Sequence, residues 1–196
     1  MTDRNEAELL ERFHAGAQDA FAELVRMHQG PLLRYARGLL GSGSAYEDVV
    51  QEAFLKLAQS PPVISAEGEG LGPWLFRVAR NLCMDVMRSE TRRKKREETV
   101  AAREATAGGI QAVEARDTRQ AVEQKLAGLP VDQRDVLVLR LLGDKSYKEI
   151  AAITGKKIGT VGWLVSEGLK ALSSELAPLF HGESPSSASR LQGETS

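Results

Sequence analysis

The chain has 196 residues and a formal net charge of -1, a length that accommodates one ordinary domain or two small ones. The hydrophobic fraction of 42% can support a core, which must be aliphatic because only 5% of residues are aromatic, and the abundance of good helix formers favours an all-α fold. The single cysteine excludes an intramolecular disulfide, and a polar N-terminus without any apolar run near the ~20 residues of a membrane span predicts a soluble, cytoplasmic protein with no membrane insertion.

Residues 1–96 form the first predicted block, a series of consecutive helices. Asn5 and Glu8 have the spacing of a capping box that would open the first helix. The second helix is expected from about Asp19. Gly30-Pro31 should kink or interrupt it, because proline lacks the backbone donor that a helix interior needs.

The third helix, from Ser44 to about Gln59, has two distinct faces. Ser44 and Glu47 have the spacing of a second capping box. One face is a predicted core stripe of Val50, Ala53, Phe54, Leu57 and Ala58. The other face is acidic and polar around a protruding leucine and consists of Asp48, Gln51, Glu52 and Leu55. This outer face would suit a protein partner, and an ordinary solvated face is the alternative that the helix alone leaves open.

A loop rich in proline, glycine and serine follows at residues 60–72, and Pro73 suits the first turn of a fourth helix that reaches about Arg96. This helix is strongly basic. Residues 71–96 carry 8 basic and 2 acidic side chains, whereas residues 1–70 carry 6 basic and 11 acidic ones. An imbalance this local favours a surface that meets phosphates, with a solvated helix end as the alternative.

The two faces of the fourth helix agree with a nucleic-acid surface. Its predicted buried stripe, which makes Cys83 a core residue, consists of Leu75, Val78, Ala79, Leu82, Cys83 and Val86. The opposite side consists of Arg77, Arg80, Asn81, Met84 and Arg88 and leads into Arg92-Arg93-Lys94-Lys95-Arg96. Arginines can bind a phosphate backbone, and Asn81 can bond a base edge. Trp74 could stack on an unpaired base or could pin the helix start in the core.

The next segment, residues 97–119, is charged, rich in alanine and interrupted by Gly108-Gly109. This composition predicts a flexible linker between two domains that move independently. The last residues, 179–196, have the composition of a disordered tail.

The second block, residues 120–178, has the pattern of a helix-turn-helix. Ser146 and Glu149 open one helix as a capping box, and Gly155 makes the turn. The recognition helix is expected to begin near Ile158, with a packed edge of Val161, Val165, Gly168 and Leu172.

These pieces, in this order, resemble the extracytoplasmic-function (ECF) class of bacterial sigma factors. The resemblance covers about residues 17–96 and 120–175. It rests on E-D-x-x-Q-E-x-F within residues 47–57, W-L-x-x-x-A-R-N within 73–85, Leu-Pro with Arg134 and V-L-V-L-R in 129–140, and S-Y-K-E-I-A with G-T-V in 146–161. It implies two small helical domains, a region 2 helical bundle and a region 4 helix-turn-helix, joined by a flexible linker and without catalytic activity.

The resemblance also implies partners and roles. Core RNA polymerase would dock its largest-subunit coiled coil on Asp48, Gln51, Glu52 and Leu55. The minus-ten promoter element would meet Arg77, Arg80, Asn81, Arg88, Arg92 and Arg93, and the preceding loop would hold an extruded base. The minus-thirty-five element would meet Lys156, Lys157, Thr160, Trp163, Ser166 and Lys170. An anti-sigma factor is an implied partner, whereas no cofactor, metal or small-molecule substrate is implied.

After Gly159-Thr160-Val161 the sequence departs from the family pattern, which usually continues with a basic run. Here Glu167 stands where an arginine is expected, and Gly162 offers no side chain to a base. Trp163 and Leu164 lie off the packed edge, so we expect at least one of them to be exposed, unless Trp163 folds back as core. The departure predicts weak reading of promoter DNA by this domain and suggests that Trp163 binds a protein.

Three other functions are alternatives to this one. A helix-turn-helix regulator that acts without polymerase would explain residues 120–175 but not residues 44–96. A sigma-like interaction protein is kept open by the altered recognition helix. An enzyme is disfavoured because His14, His28 and His181 are widely spaced and no cysteine or carboxylate cluster has metal-ligand spacing.

Overall fold

The computed structural model describes residues 2–41, 43, 45–63, 70–104 and 118–180, and every regular element in them is a helix. The first block contains α1 (Thr2–His14), α2 (Gln18–Leu40), α3 (Ala45–Gln59) and α4 (Leu71–Glu104). The second contains α5 (Thr118–Gly128), α6 (Val131–Leu141), α7 (Tyr147–Thr154) and α8 (Ile158–Phe180). The predicted all-α class is confirmed over these ranges, in which no helix is both long and apolar enough to cross a membrane.

The helices of the first block differ from the prediction at one start, at one interior proline and at one end. Asn5 lies inside α1, which begins at Thr2, so the capping box predicted there is wrong. The α2 helix runs through Pro31 without a break, because burial of Leu24 before it and Leu32 after it offsets the cost of proline, about 3 kcal/mol. The α4 helix continues past Arg96 into the predicted linker. Ser44, the other predicted cap in this block, lies outside the described residues.

The core of the first block forms where α2, α3 and α4 meet, with α1 packed mainly on α2. It is aliphatic, as the composition predicts, and its fully buried members include Leu24, Leu32, Leu39, Leu57 and Leu75. Ala58 is exposed, contrary to its predicted place in the α3 stripe, whereas the rest of that stripe is buried. Burial of one face of α3 and of α4 directs the opposite faces outward.

In the second block, α8 packs along α6 and crosses α7. The predicted capping box is present: Ser146 accepts a hydrogen bond from the Glu149 backbone, and the Glu149 carboxylate accepts one from the Ser146 backbone. Gly155 has φ +71°, a left-handed conformation that suits glycine at a helix end. A Cβ atom at Gly168 would lie 2.6 Å from the Leu137 side chain, so glycine permits the close approach of α8 to α6.

The two blocks are packed against each other, whereas the linker composition predicts domains that move independently. The α2 helix contacts α5 and α6, and α4 contacts α7. Side chains at this boundary are buried and form hydrogen bonds across it. Of the predicted linker and tail, residues 105–117 and 181–196 lie outside the described residues.

Candidate functional site

The outer face of α3 is open to solvent. Its members are all exposed, Leu55 to 52%, and they are Asp48, Gln51, Glu52 and Leu55. Asp48 lies in the first turn of the helix, where the helix dipole favours a carboxylate, and Glu52 lies 3.4 Å from the Lys56 ammonium. Since Leu55 projects away from the core, its exposure gives the fold no burial energy and leaves it available to a partner.

The outer side of α4 holds the candidate DNA-binding residues. Four of them are exposed, namely Asn81, Arg88, Arg92 and Arg93, and Arg77 is half-buried. The predicted inner stripe is confirmed, with Leu75, Ala79 and Cys83 fully buried and Val78, Leu82 and Val86 packed against the core. Burial raises the pKa of the Cys83 thiol to about 12, with a further contribution from Asp135, so this thiol is unreactive at neutral pH.

The exposed arginines of α4 make loose ion pairs within their own helix. Arg88 lies 3.3 Å from the Asp85 carboxylate, and Arg93 lies 3.6 Å from that of Glu97. Exposed pairs of this kind contribute about 0–1 kcal/mol. These guanidinium groups can therefore exchange a carboxylate for a phosphate at little cost.

Arg80 is held inside the protein rather than presented to solvent, so its predicted contact with DNA is not open in this arrangement. Its Nε atom donates to Oδ2 of Asp135 on α6 over 2.6 Å, and its side chain is 18% exposed. Burial disfavours the charged form of Arg80, but the Asp135 carboxylate outweighs burial and raises the pKa of the guanidinium. Arg80 is therefore a charged side chain whose hydrogen bond is already made within the chain.

Near the start of α4, Trp74 is half-buried and packs against the core. This placement favours a role in pinning the helix start over an exposed stacking platform. Of the loop predicted to hold an extruded base, residues 64–69 lie outside the described residues.

The recognition helix, α8, buries its predicted edge and exposes its tryptophan. Val161, Val165, Gly168 and Leu172 are all buried, as predicted. Leu164 is buried, whereas Trp163 is 59% exposed, so the expectation that at least one of the two faces solvent is confirmed. The alternative that Trp163 folds back as core is wrong.

Basic residues of the second block meet acidic ones. The Lys170 ammonium lies 2.8 Å from the Glu167 carboxylate, and that of Lys156 lies 3.0 Å from Asp132. Lys157, Thr160 and Ser166 are exposed. The exposed side of α8 therefore carries Trp163 and Leu169 among small polar residues, and its one lysine is paired with a carboxylate.

Sequence reasoning missed Asp135, the partner of Arg80, and Tyr35, which donates to the same carboxylate. Asp135 is 0% exposed. It accepts a 2.9 Å hydrogen bond from the Tyr35 hydroxyl and a second hydrogen bond from Nε of Arg80. The sequence signal that could have revealed Asp135 is its position directly before the apolar run Val136-Leu139, on the side of α6 that packs inward. In the described part of the chain, no three histidine, cysteine or carboxylate side chains come together as a possible metal site.

Two family models match the chain: Sigma-70 region 2 over residues 24–93 and Sigma-70, region 4 over residues 119–172. The ECF RNA polymerase sigma-E factor of Escherichia coli K12 is 30% identical over 183 residues, which cover 88% of this chain and 94% of that relative. The ECF RNA polymerase sigma factor SigW of Bacillus subtilis is 29% identical over 174 residues, covering 84% and 92%.

Two solved structures have a similar fold. CnrH, in complex with the cytosolic domain of CnrY, has a TM-score of 0.64 and 23% identity over 89% of this chain and 98% of its own. The sigma factor RpoE of Bartonella quintana, in complex with the anti-sigma factor NepR, has a TM-score of 0.60 and 26% identity over 80% and 96%.

Proposed function

The chain belongs to the extracytoplasmic-function sigma factors and acts in transcription initiation with RNA polymerase, and from this premise we propose how its surfaces divide that work. The outer face of α3 binds core polymerase, the outer side of α4 binds the minus-ten element, and the helix-turn-helix approaches upstream DNA. Transcription initiation by this chain takes place in the cytoplasm, where bacterial RNA polymerase transcribes. The observation that carries the proposal is the pairing of an acidic open face on α3 with a basic open side on α4 in one compact block.

Polymerase docks on α3 through charge and one apolar anchor. Asp48 and Glu52 present carboxylates to solvent, and Leu55 protrudes from the next turn of the same face. Complementary charge orients an encounter, while an apolar side chain entering a pocket supplies affinity at the centre of an interface. The coiled coil of the largest polymerase subunit is the proposed partner of this face.

The outer side of α4 binds promoter DNA as it opens. Arg88, Arg92 and Arg93 hold phosphates, and Asn81 reaches a base edge. Strand separation requires no bond-making chemistry by this chain. Bases captured in single-stranded form shift the duplex equilibrium towards the open state, because the protein binds that state more tightly.

The second block contributes little sequence reading of its own and offers a protein-binding surface instead. Trp163 is exposed on α8, and the Lys170 charge beside it is neutralised by Glu167. Exposed tryptophans are frequent anchors of protein interfaces. An anti-sigma factor is the proposed regulatory partner, a proposal supported by the solved complex of RpoE with NepR. The exposed Trp163 also favours a second candidate function, a sigma-like protein that binds partners without initiating transcription.

In vitro transcription with core polymerase on a randomised promoter library tests both candidates. We expect transcripts that depend on the added chain, with strong enrichment of a minus-ten sequence and weak enrichment at minus thirty-five. Transcripts no more abundant than with core polymerase alone would reject the initiation role and leave the interaction protein. Strong enrichment at both elements would reject the proposed weakness of the second block.

A further inference from the structure

The boundary between the two blocks is built around a buried polar cluster of three side chains. Asp135 on α6 lies at its centre with no exposed surface. It accepts one hydrogen bond from Arg80 of α4 over 2.6 Å and one from the Tyr35 hydroxyl of α2 over 2.9 Å. Arg80 and Tyr35 belong to the first block and Asp135 to the second, so the cluster joins the domains directly.

Further contacts fix the same arrangement at its edges. Arg37 lies 2.9 Å from the Glu123 carboxylate, and the Lys145 ammonium lies 4.7 Å from the centre of the Phe76 ring. A Cβ atom at Gly38 would lie within 3 Å of the second block's side chains, at 2.7 Å from Leu142 and 2.8 Å from Val138. The absence of a side chain at Gly38 therefore permits the close packing of α2 on α6.

The chemistry of this boundary suits a contact that opens. A buried ion pair contributes little free energy to the closed arrangement. Both charges lose their hydrating water on burial and regain it when they separate. A half-open groove of about 470 Å³ also lies at this boundary, among α2, α3, α5 and the end of α6, next to Leu33, Val122 and Leu126.

The closed arrangement affects the two proposed binding surfaces of the first block differently. The α3 face remains exposed, so polymerase can dock while the domains are together. Arg80, in contrast, has its charge neutralised and its surface covered by Asp135. DNA that uses Arg80 has to break this pair first.

We propose that Arg80, Asp135 and Tyr35 form an interdomain latch that keeps the free chain closed and masks Arg80 from promoter DNA until polymerase binds. The masking of Arg80 rests on the proposed function, extended by the contact of Arg80 with the minus-ten element that the family resemblance implies. The closure itself rests only on the contacts across the boundary. A closed free chain would not occupy promoters on its own, and its affinity for DNA would be reduced by the fraction of molecules that are open.

The test measures binding of the free, full-length chain to a labelled single-stranded DNA of mixed sequence by fluorescence anisotropy. Asp135→Asn keeps the side-chain volume but removes the charge that pairs with Arg80. We expect it to bind the DNA about tenfold more tightly, equivalent to about 1.4 kcal/mol of lost closure. Tyr35→Phe removes only one hydrogen bond, and we expect a smaller gain of about threefold. If Asp135→Asn loses its helical circular dichroism, Tyr35→Phe carries the test.

Asp144→Asn is the matched control, because it removes the same charge from the second block at an exposed position with a positive φ that asparagine tolerates. Its DNA affinity should change far less than that of Asp135→Asn. Arg80→Gln also breaks the latch but removes the masked side chain, so it should gain less than Asp135→Asn. Folded Asp135→Asn and Tyr35→Phe chains that bind DNA no better than the control would overturn the latch.

Transcription by the reconstituted holoenzyme separates the latch from the proposed function. There we expect Asp135→Asn to match the unmodified chain and Arg80→Gln to be impaired. Normal transcription by Arg80→Gln would remove Arg80 from the DNA surface and so overturn the masking, whatever the free chain does. If Arg80→Gln impairs transcription but free Asp135→Asn binds DNA no more tightly, the latch is rejected and the proposed function stands.

Discussion

The first block presents charge to solvent on two helices, whereas the recognition helix of the second block presents a tryptophan and little unpaired charge. Acidic residues line the outer face of α3, and exposed arginines follow one side of α4. On α8, Trp163 is exposed and Lys170 is paired with Glu167. Both blocks bury an apolar stripe on these helices. Because burial fixes only one side of each helix, the other side can change its chemistry, and therefore its partner, without a change of fold.

The largest effect is expected on α3, where charge is proposed to bind polymerase. Asp48→Ala with Glu52→Ala should weaken binding to core polymerase about 30-fold, equivalent to about 2 kcal/mol, because two interface carboxylates are lost. Fluorescence titration of labelled chain with core polymerase measures this change. Glu11→Ala with Glu23→Ala, exposed on α1 and α2, is the control and should bind normally. Equal affinity of the two double variants would show that the acidic face is only a solvated surface.

The contrast between α4 and α8 can be sharpened by restoring charge to α8. Gly162→Lys with Glu167→Arg should raise affinity for double-stranded upstream promoter DNA about tenfold, because new cations meet phosphates and Lys170 loses its acidic partner. A Cβ atom at Gly162 would lie 3.7 Å from the Tyr147 ring, an ordinary contact, so the substitution fits.

Gel-shift titration at fixed salt measures this gain. The charge-matched control is Gln29→Lys with Glu23→Arg on α2, which should change affinity much less. If the unmodified chain already binds a specific minus-thirty-five sequence as strongly as its basic relatives do, the contrast between α4 and α8 disappears.

A smaller effect is expected from single residues of α4, measured in the holoenzyme. Arg88→Ala should lower the slope of log affinity against log salt by about one unit, because one phosphate contact is lost. Asn81→Ala should alter base preference at the minus-ten element with little change in that slope. Arg26→Ala, exposed on α2, is the control for both. The assignment fails if Arg88→Ala and Asn81→Ala change only the melting temperature.

The smallest effect concerns the capping box of α7, which orients the recognition helix. Ser146→Ala should cost about 1 kcal/mol of unfolding free energy, measured by urea denaturation. Burial opposes ionisation of Glu149, but hydrogen bonds from Ser146 and the nearby Lys145 prevail and lower the pKa of its carboxyl group.

The stabilisation from Glu149 is therefore present above its unfolded pKa, about 4.3, and is lost as pH falls through the lower folded value. The difference between Ser146→Ala and the unmodified chain should shrink over that acidic range. Ser174→Ala, exposed on α8, should be neutral at every pH. A difference that stays constant down to the acid limit would mean that Glu149 takes no part in the cap.

Sequence reasoning was most successful where structure depends on near neighbours. The box of Ser146 with Glu149, the left-handed Gly155 and the buried edge of α8 each follow from contacts within a few residues or from helical periodicity. The same local rules were wrong about a cap at Asn5 and about an interruption of α2 at Pro31. Burial of α2 on both sides of Pro31 keeps that helix continuous, against the preference of the single residue.

The sequence by itself determined the helical class, the two blocks, the faces of α3 and α4 and the unusual character of α8. Only the tertiary structure decided that Trp163, rather than Leu164, is exposed, because that depends on which neighbouring helix covers each side chain. Only the tertiary structure decided that Arg80 meets Asp135, which is 55 residues away, and that Tyr35 joins them from 100 residues away. Periodicity places a residue on a face of its own helix, but the residue that faces it is chosen by the packing of the two blocks.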